Sequence, residues 1–153
     1  MNWSITPFVL GLAVASIAGA QEVPSDLAAL AAKARLSGPV AAWCRAEFRP
    51  GRPGGFAVGL TSATGGGRYL ALDPDGTATE LGSFKRSADL SCYSRARAEA
   101  LDVTIKKSDT IHGHITPRWN TTVVCGFVDD TAAVCWQYSQ ADRTFVSVGQ
   151  WVT

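Results

Sequence analysis

The chain has 153 residues and is close to neutral, because 14 basic side chains nearly balance 13 acidic ones. This length fits one ordinary domain that is large enough to bury a substantial core, and it is short for two. Nucleic-acid-binding proteins usually carry a clustered basic excess, so the charge balance argues against DNA or RNA as a partner.

Residues 1–20 have the pattern of an export signal. A short polar start leads into a mostly apolar run from Pro7 to Ala18, and Ala18-Gly19-Ala20 supplies small residues of the kind that a signal peptidase requires. The run is too short to cross a bilayer, so we predict a cleaved segment and no membrane span in the mature chain. The sequence therefore predicts a secreted or periplasmic protein in which residues 21–153 form a single disulfide-braced, β-rich domain.

All four cysteines follow the signal segment, at positions 44, 92, 125 and 135. An even number in an exported chain favours two disulfides over a metal site or a reactive thiol. Three pairings are possible, and we prefer Cys125 with Cys135 and Cys44 with Cys92. Cys125 and Cys135 lie on the two arms of a predicted hairpin, and they are directly opposite each other if its loop of three or five residues is centred on Asp130.

The first predicted element of the mature chain is a helix from about Asp26 to Leu36, in which apolar residues recur at helical spacing and Ser25 provides the cap. Gly38-Pro39 ends this helix. From Val40 to Phe48 the apolar period changes to two, which is typical of a half-buried strand. The even-numbered side chains of this strand should point to one face, and Trp43 should lie on the other.

A loop and a hairpin follow the first strand. The stretch from Arg49 to Gly55 contains two prolines and three glycines, which can neither continue a strand ladder nor hold a helix. The next strand is predicted at Phe56 to Leu60. Asp73-Pro74-Asp75-Gly76 then predicts a tight turn between strands at Tyr69–Leu72 and Thr77–Leu81, because proline presets the turn dihedral and glycine tolerates a positive φ.

The second half begins with a short helix predicted at Tyr93–Leu101, where helix-forming residues are concentrated. Alternation resumes at Val103 and Ile105 and continues through Ile111–Ile115. The last third predicts a meander of three strands, at about Thr121–Phe127, Ala132–Tyr138 and Thr144–Val152. Short strands joined by hairpin-length connections predict a mainly β fold: a single antiparallel β-sandwich or small barrel with an N-terminal helix, one short internal helix and two disulfides.

Both histidines of the chain lie in the segment Ile111-His112-Gly113-His114-Ile115. On a strand, His112 and His114 would project from the same face, close enough to share a metal ion or to act as a base and its partner. A catalytic zinc site normally needs a third protein ligand, and the spacing supplies none. We therefore predict no resident metal and no cofactor, and we keep a small metal-assisted hydrolase that uses His112 and His114 as an alternative function.

Arginine and tryptophan are enriched at interface hot spots, and their distribution here suggests a binding role. Arg49 and Arg52 lie in the loop rich in proline and glycine, Trp43 alternates with charged residues on its strand, and Trp119 follows Pro117-Arg118 in a predicted loop. Irregular loops on a rigid scaffold are where recognition usually occurs.

The function that we predict first is a non-enzymatic binding module that recognises a protein or an envelope glycan in an inhibitor-like or accessory role. Its predicted contact residues are Trp43, Arg49, Arg52 and Trp119. A structural envelope protein without a discrete ligand is a further alternative.

Overall fold

A computed structural model of the protein describes residues 21–100 and 120–152, without the side chains of residues 98–100 and 150–152. These ranges contain two short helices and eight strands, which confirms the predicted mainly β fold class. The elements in chain order are α1 (Ser25–Lys33), β1 (Val40–Ala46), β2 (Gly55–Thr61), β3 (Gly67–Leu72), β4 (Ala78–Phe84), β5 (Leu90–Tyr93), α2 (Arg95–Ala100), β6 (Val123–Phe127), β7 (Ala132–Ser139) and β8 (Thr144–Val152).

The strands form two antiparallel sheets, each with its strands in sequence order: β1-β2-β3-β4 and β5-β6-β7-β8. The sheets pack against each other over a shared core, so the fold is an antiparallel sandwich. Both sheets and the segment after β1 contribute buried side chains to this core, which are Ala46, Phe48, Ala57, Tyr69, Ala71, Phe84, Cys92, Val124 and Trp136.

Two aromatic rings fill the space between the sheets because glycines lie beside them. A Cβ atom added to Gly82 would come within 2.8 Å of the Trp136 ring, and one added to Gly126 would come within 2.8 Å of the Tyr69 ring. The rings of Tyr69 and Trp136 lie 5.9 Å apart between their centroids. These two glycines are therefore required by close approach in the core.

Helix α1 covers the outer face of the first sheet. Its residue Leu27 is fully buried against apolar side chains of β2 and β3. Two polar contacts hold the helix and its leading segment in place: the guanidinium of Arg45 donates to the carboxylate of Asp26 at 2.7 Å, and the indole N–H of Trp43 donates to the carbonyl oxygen of Glu22 at 3.1 Å. The second face of β1 is thus partly covered by the helix and its leading segment.

The ends of α1 differ from the prediction. Pro24, with extended dihedrals, occupies the N-cap position, and its carbonyl oxygen accepts the N–H of Ala28. Ser25 is already helical, so the predicted Ser25 cap is wrong. The helix ends at Lys33, not Leu36, because Arg35 adopts a left-handed φ of 54° that closes a Schellman-type terminus.

The alternation predicted for β1 is confirmed from Cys44 onward, since Cys44 and Ala46 face the other sheet while Arg45 contacts the helix side. Val40 is an exception. The pairing with β2 shifts register between Val40 and Ala42, and Val40 packs with the residues under α1. A bulge of this kind changes which side a residue faces, and period alone cannot reveal it.

Both predicted disulfides are confirmed. Cys44 on β1 is bonded to Cys92 on β5, which links the two sheets, with 5.8 Å between the Cα atoms. Cys125 and Cys135 are directly opposite each other on β6 and β7, in a hairpin centred on Asp130. The chain has no free cysteine.

Most of the remaining strands agree with the prediction, as does the short helix α2. Strand β5 was not predicted, because a segment of four residues is too short to display a period. The strands predicted around Val103–Ile105 and Ile111–Ile115 lie outside the described residues. The tight turn after β3 is confirmed, with Gly76 at a φ of 92° and its N–H donated to the carbonyl oxygen of Asp73.

Candidate functional site

Successive hairpins bring the described connections to two opposite ends of the sandwich. The Arg49 end consists of residues 47–54, 73–77, 120–122 and 139–143, and the Arg86 end consists of residues 61–67, 85–89 and 127–131. Side-chain and backbone contacts join the segments within each end, such as Arg49 with Asp73 at the first and Arg86 with Asp130 at the second. The predicted binding residues Arg49 and Arg52 both belong to the Arg49 end.

The guanidinium of Arg49 has a fixed position in this end. Its Nη2 donates to the carboxylate of Asp73 at 2.6 Å, and its carbon lies 5.0 Å from the centroid of the Tyr138 ring. The side chain of Asp73 is only 5% exposed and that of Arg49 is 29% exposed. The hydrogen bond to Asp73 raises the pKa of Arg49 above its usual value. Arg49 therefore joins three segments of the chain instead of extending freely into solvent.

The loop that carries Arg49 and Arg52 is ordered by its own hydrogen bonds. The N–H of Arg52 donates to the carbonyl oxygen of Arg49 at 3.1 Å, and the N–H of Gly51 donates to the carboxylate of Glu47 at 2.8 Å. Pro50 and Gly51, which has a φ of 74°, occupy the two central positions of this turn, as a type II turn requires. The loop is therefore held in one conformation before any ligand arrives.

Arg52 lies at the exposed edge of the same end. Its Nη2 is 3.6 Å from the carboxylate of Asp75, and both side chains are more than two-fifths exposed. The backbone N–H of Thr77 lowers the pKa of Asp75, with a smaller contribution from Arg52. Water readily replaces either partner of an exposed ion pair at this distance, so the guanidinium of Arg52 is available to a ligand.

A pocket of about 240 Å³ with a mixed polar and apolar lining opens beside Tyr138, and we call it the Gln137 pocket. Gln137 is buried at 4% exposure, and its Nε2 donates to the hydroxyl of Thr121 at 2.9 Å. At the rim, the hydroxyl of Ser139 donates to the carboxylate of Asp142 at 2.7 Å. The pocket is lined by Asn120, Thr121, Gln137, Tyr138, Ser139, Gln140, Ala141, Asp142 and Val146.

The pocket and the Arg49 loop are connected through the backbone. The N–H of Glu47 donates to the hydroxyl of Thr122 at 2.8 Å, and the N–H of Thr122 donates to the carbonyl oxygen of Glu47 at 2.9 Å. The ring of Tyr138 contacts the guanidinium of Arg49. The centroid of the same ring lies 5.4 Å from that of the Phe145 ring. The segment that borders the pocket is thus joined to the Arg49 loop.

Two other cavities among the described residues differ in character. A larger depression of about 520 Å³ beside Leu60 and Arg68 is more open to solvent. A cavity of about 220 Å³ at the Arg86 end lies beside the exposed pair of Arg86 and Asp130, and it is also less enclosed than the Gln137 pocket. The Gln137 pocket is therefore the most enclosed of the three.

The structure separates Trp43 from the other two predicted binding residues that it describes, Arg49 and Arg52. Arg49 and Arg52 lie together at the Arg49 end, whereas Trp43 lies under α1 and contacts the Phe56 ring edge-on at 6.0 Å. Trp119 lies outside the described residues, as do the alternative catalytic candidates His112 and His114.

Sequence reasoning did not identify the residues that complete this end. Asp73 was interpreted as part of a turn, which is correct, but its burial against Arg49 was not foreseen. Gln137 did carry a signal, because a polar residue between Trp136 and Tyr138 interrupts an otherwise apolar strand. Such a residue is usually hydrogen-bonded and often borders a site.

No helix within residues 21–100 and 120–152 is long and apolar enough to cross a membrane. In the same ranges, no group of three His, Cys, Asp or Glu side chains is arranged to hold a metal ion.

Comparisons with protein-family models, with curated proteins and with solved structures found no match for this chain.

Proposed function

We propose that the protein is a non-enzymatic binding module that acts in the periplasm or after secretion and recognises a protein or an envelope glycan through its Arg49 end. The observation that carries this proposal is the location, at one end of the sandwich, of two loop arginines, of which Arg49 is held by Asp73 and Arg52 is exposed, and of an enclosed pocket. Recognition surfaces are commonly built from loops that a rigid scaffold holds in position.

The conformation of these loops is held by internal contacts in the free protein, and this supports the proposal. The turn at Pro50 and Gly51, the buried pair of Arg49 with Asp73 and the backbone contacts of Glu47 fix the surface in the free protein. A ligand would then meet groups that lose little conformational freedom on binding, which favours affinity.

The exposed side chains at the Arg49 end are of types that commonly contact ligands. This end presents a guanidinium at Arg52, an exposed amide at Asn120 and the partly exposed side chain of Tyr138. Arginine and tyrosine are enriched among the residues that dominate binding energy, because they combine contact area with directional hydrogen bonding.

The compartment is part of the proposal. Two disulfides without a free thiol are compatible with an oxidising environment, where such bonds persist. The pattern of residues 1–20 predicts export independently of the disulfides.

The test compares charge reversals at the two ends. Arg52→Glu and Arg86→Glu each replace an exposed arginine that pairs with an aspartate, so both change the net charge equally. Mature protein is mixed with purified insoluble envelope glycan and, separately, with immobilised envelope protein from the native source, and bound protein is quantified.

We expect wild-type protein and Arg86→Glu to bind one of the two probes with equal affinity, and Arg52→Glu to bind it at least tenfold more weakly. Equal effects of the two variants, or no binding of wild-type protein to either probe, would refute the proposal. A variant with His112→Ala and His114→Ala should bind as wild type does. Loss of binding together with loss of a bound metal in that variant would favour the hydrolase instead.

A further inference from the structure

The loop between β1 and β2 protrudes from the Arg49 end. Residues 50–54 are all exposed, and a Cβ atom added to Gly51 would have no described atom within 4 Å. The base of the loop is packed, in contrast, because a Cβ atom added to Gly54 would lie 3.8 Å from the Cβ atom of Pro74. The loop therefore offers a partner a protruding contact rather than a cavity.

Contacts within the loop region hold this protrusion in one conformation. The N–H of Gly51 donates to the carboxylate of Glu47, and the N–H of Arg52 donates to the carbonyl oxygen of Arg49. The two prolines of residues 50–53 have no N–H, and their rings fix φ. The loop loses little conformational freedom when a partner binds, which favours affinity.

Arg52 carries the only polar side chain of residues 50–53. Its Nη2 atom lies 3.6 Å from the carboxylate of Asp75, which is too far for a hydrogen bond, and that carboxylate already accepts the N–H of Thr77 at 2.9 Å. An exposed ion pair of this kind contributes little to stability. The guanidinium of Arg52 can therefore turn to a partner while Asp75 keeps the N–H of Thr77.

The guanidinium group determines which chemistry the partner has to supply. It carries five N–H donors and no acceptor, in a planar arrangement that matches the two oxygens of a carboxylate. Hydrogen bonds between these two charged groups are stronger than those between neutral groups. Arginine is also enriched among the few residues that dominate the binding energy of protein interfaces. A carboxylate of a partner is thus the matching group for Arg52.

The charge of the Arg49 end favours a protein carboxylate over a polyanionic surface. The four segments of this end carry three arginines and four acidic residues, and the side chain of Lys33 lies beside Gly76, so the net charge is zero. Nucleic acids and anionic membranes gain affinity from several cations at once, and this end has no excess of cations. A protein pocket that encloses one guanidinium requires no such excess.

From these observations we propose that Arg52 is the residue that this loop inserts into a carboxylate-bearing pocket of a partner protein. The inference rests on the proposed function and deepens it, since it selects a protein over an envelope glycan and names the group that the protein contributes. Arg49 acts as a positioning residue, because its ion pair with Asp73 anchors the base of the loop.

The test measures binding of the mature protein by surface plasmon resonance. Three probes are immobilised separately: envelope protein extracted from the native source, purified envelope glycan, and vesicles of phosphatidylglycerol and phosphatidylcholine. We expect wild-type protein to bind the envelope protein and neither of the other two probes.

Variants at Arg52 identify the contact and its charge. Arg52→Gln should weaken binding to the envelope protein about tenfold or more, because an interface arginine is lost. Arg52→Glu should weaken it further, by about another threefold or more, since a carboxylate then faces the carboxylate of the partner. Arg52→Lys should not restore wild-type affinity, because an ammonium group lacks the planar arrangement of donors.

Matched variants at the same end are the controls. Arg143→Gln and Arg143→Glu change an exposed arginine in the turn between β7 and β8, and both should bind within about twofold of wild type. Pro53→Ala keeps the guanidinium but loosens the loop, so it should weaken binding by about twofold to fivefold. Thermal denaturation of each variant confirms that the fold is retained.

Three outcomes would overturn this inference: equal binding of wild type and Arg52→Gln, equal losses from Arg52→Gln and Arg52→Glu, or losses from the Arg143 variants as large as those from the Arg52 variants. Its failure is distinguishable from that of the proposed function. If wild type binds the envelope glycan instead and Arg52→Glu weakens that binding, the Arg49 end remains a recognition surface and only the class of partner is wrong. Binding to the vesicles alone, or to no probe, would refute both.

Discussion

Arg49 and Asp73 form an ion pair of 2.6 Å that ties the loop after β1 to the turn after β3. Asp73 is almost fully buried, and Arg49 also rests on the ring of Tyr138 from the second sheet. One side chain therefore connects both sheets at the end of the sandwich that we propose as the recognition surface.

Arg49→Met should lower the free energy of unfolding by about 2 to 3 kcal/mol, because it leaves the buried carboxylate of Asp73 without its cationic partner. Arg52→Met is the matched control. It removes an exposed pair between the same two connections and should change stability by less than about 0.5 kcal/mol. Urea denaturation of both variants measures the difference.

The double variant Arg49→Met with Asp73→Asn should recover part of the loss, since no buried charge is then left unpaired. If Arg49→Met were no more destabilising than Arg52→Met, the pair of Arg49 with Asp73 would contribute no more to stability than the exposed pair of Arg52 with Asp75. Arg49 could then not serve as the connection between the two sheets.

The hydroxyl of Tyr69 makes a second connection between the sheets. It donates to the carbonyl oxygen of Phe127 at 2.7 Å and accepts the N–H of Asp89 at 3.1 Å. Burial raises the pKa of this hydroxyl. Tyr69→Phe should destabilise the protein by about 1 to 3 kcal/mol, because the part-buried backbone groups of Phe127 and Asp89 lose a hydrogen-bond partner.

The control for this prediction is Tyr138→Phe, which removes the same atom from a ring at the pocket. It should cost less than about 0.5 kcal/mol. Equal midpoints of thermal unfolding for wild type and Tyr69→Phe would contradict the role assigned to the Tyr69 hydroxyl.

The features that could be predicted from the sequence are those that depend on residues close together in the chain. Asp73-Pro74-Asp75-Gly76 specifies its own turn, and the positions of Cys125 and Cys135 about Asp130 fix the register of a hairpin. The Ser25 cap was wrong for a local reason as well, since Pro24 adopts the extended dihedrals of an N-cap one residue earlier.

The candidate site could be predicted only in part, because it depends on contacts between distant segments. Arg49 and Arg52 were identified from composition and loop character. The pairing of Arg49 with Asp73 and the stacking on Tyr138 join residues that are 24 and 89 positions away in the chain, and no local pattern encodes such contacts. The same holds for Gln137, whose partner Thr121 lies in the segment before β6.

The two disulfides should contribute unequally to stability. The bond between Cys44 and Cys92 closes a separation of 48 residues, and that between Cys125 and Cys135 closes one of 10. The chain-entropy relation gives about 4 kcal/mol for the first and about 3 kcal/mol for the second. Replacing each pair by alanines and measuring urea denaturation tests the order, and a larger loss from the shorter loop would contradict it.

Acid should weaken the fold through aspartates whose pKa values are lowered in the native state. A hydrogen bond from Arg45 lowers the pKa of Asp26, and backbone N–H groups of Thr77 and Thr131 lower those of Asp75 and Asp129, respectively. The unfolded state then binds protons more readily than the native state. The stabilisation is present above about pH 4 and is lost as the pH falls through the lower native pKa values.

Asp26→Asn and Arg45→Met should each reduce this acid sensitivity, because either change removes the first of these contacts. The measurement is the free energy of unfolding between about pH 2 and pH 6. A pH dependence in Asp26→Asn identical to that of the wild type would show that the Arg45 contact does not hold in solution.

Backbone amide NMR spectra of the mature protein, recorded with soluble fragments of envelope glycan and then with extracted envelope protein, test whether recognition takes place at the Arg49 end. We expect the shifts caused by the bound probe to concentrate in residues 49–54, 73–77, 120–122 and 139–143. Shifts confined to residues 61–67, 85–89 and 127–131 at the Arg86 end would contradict it.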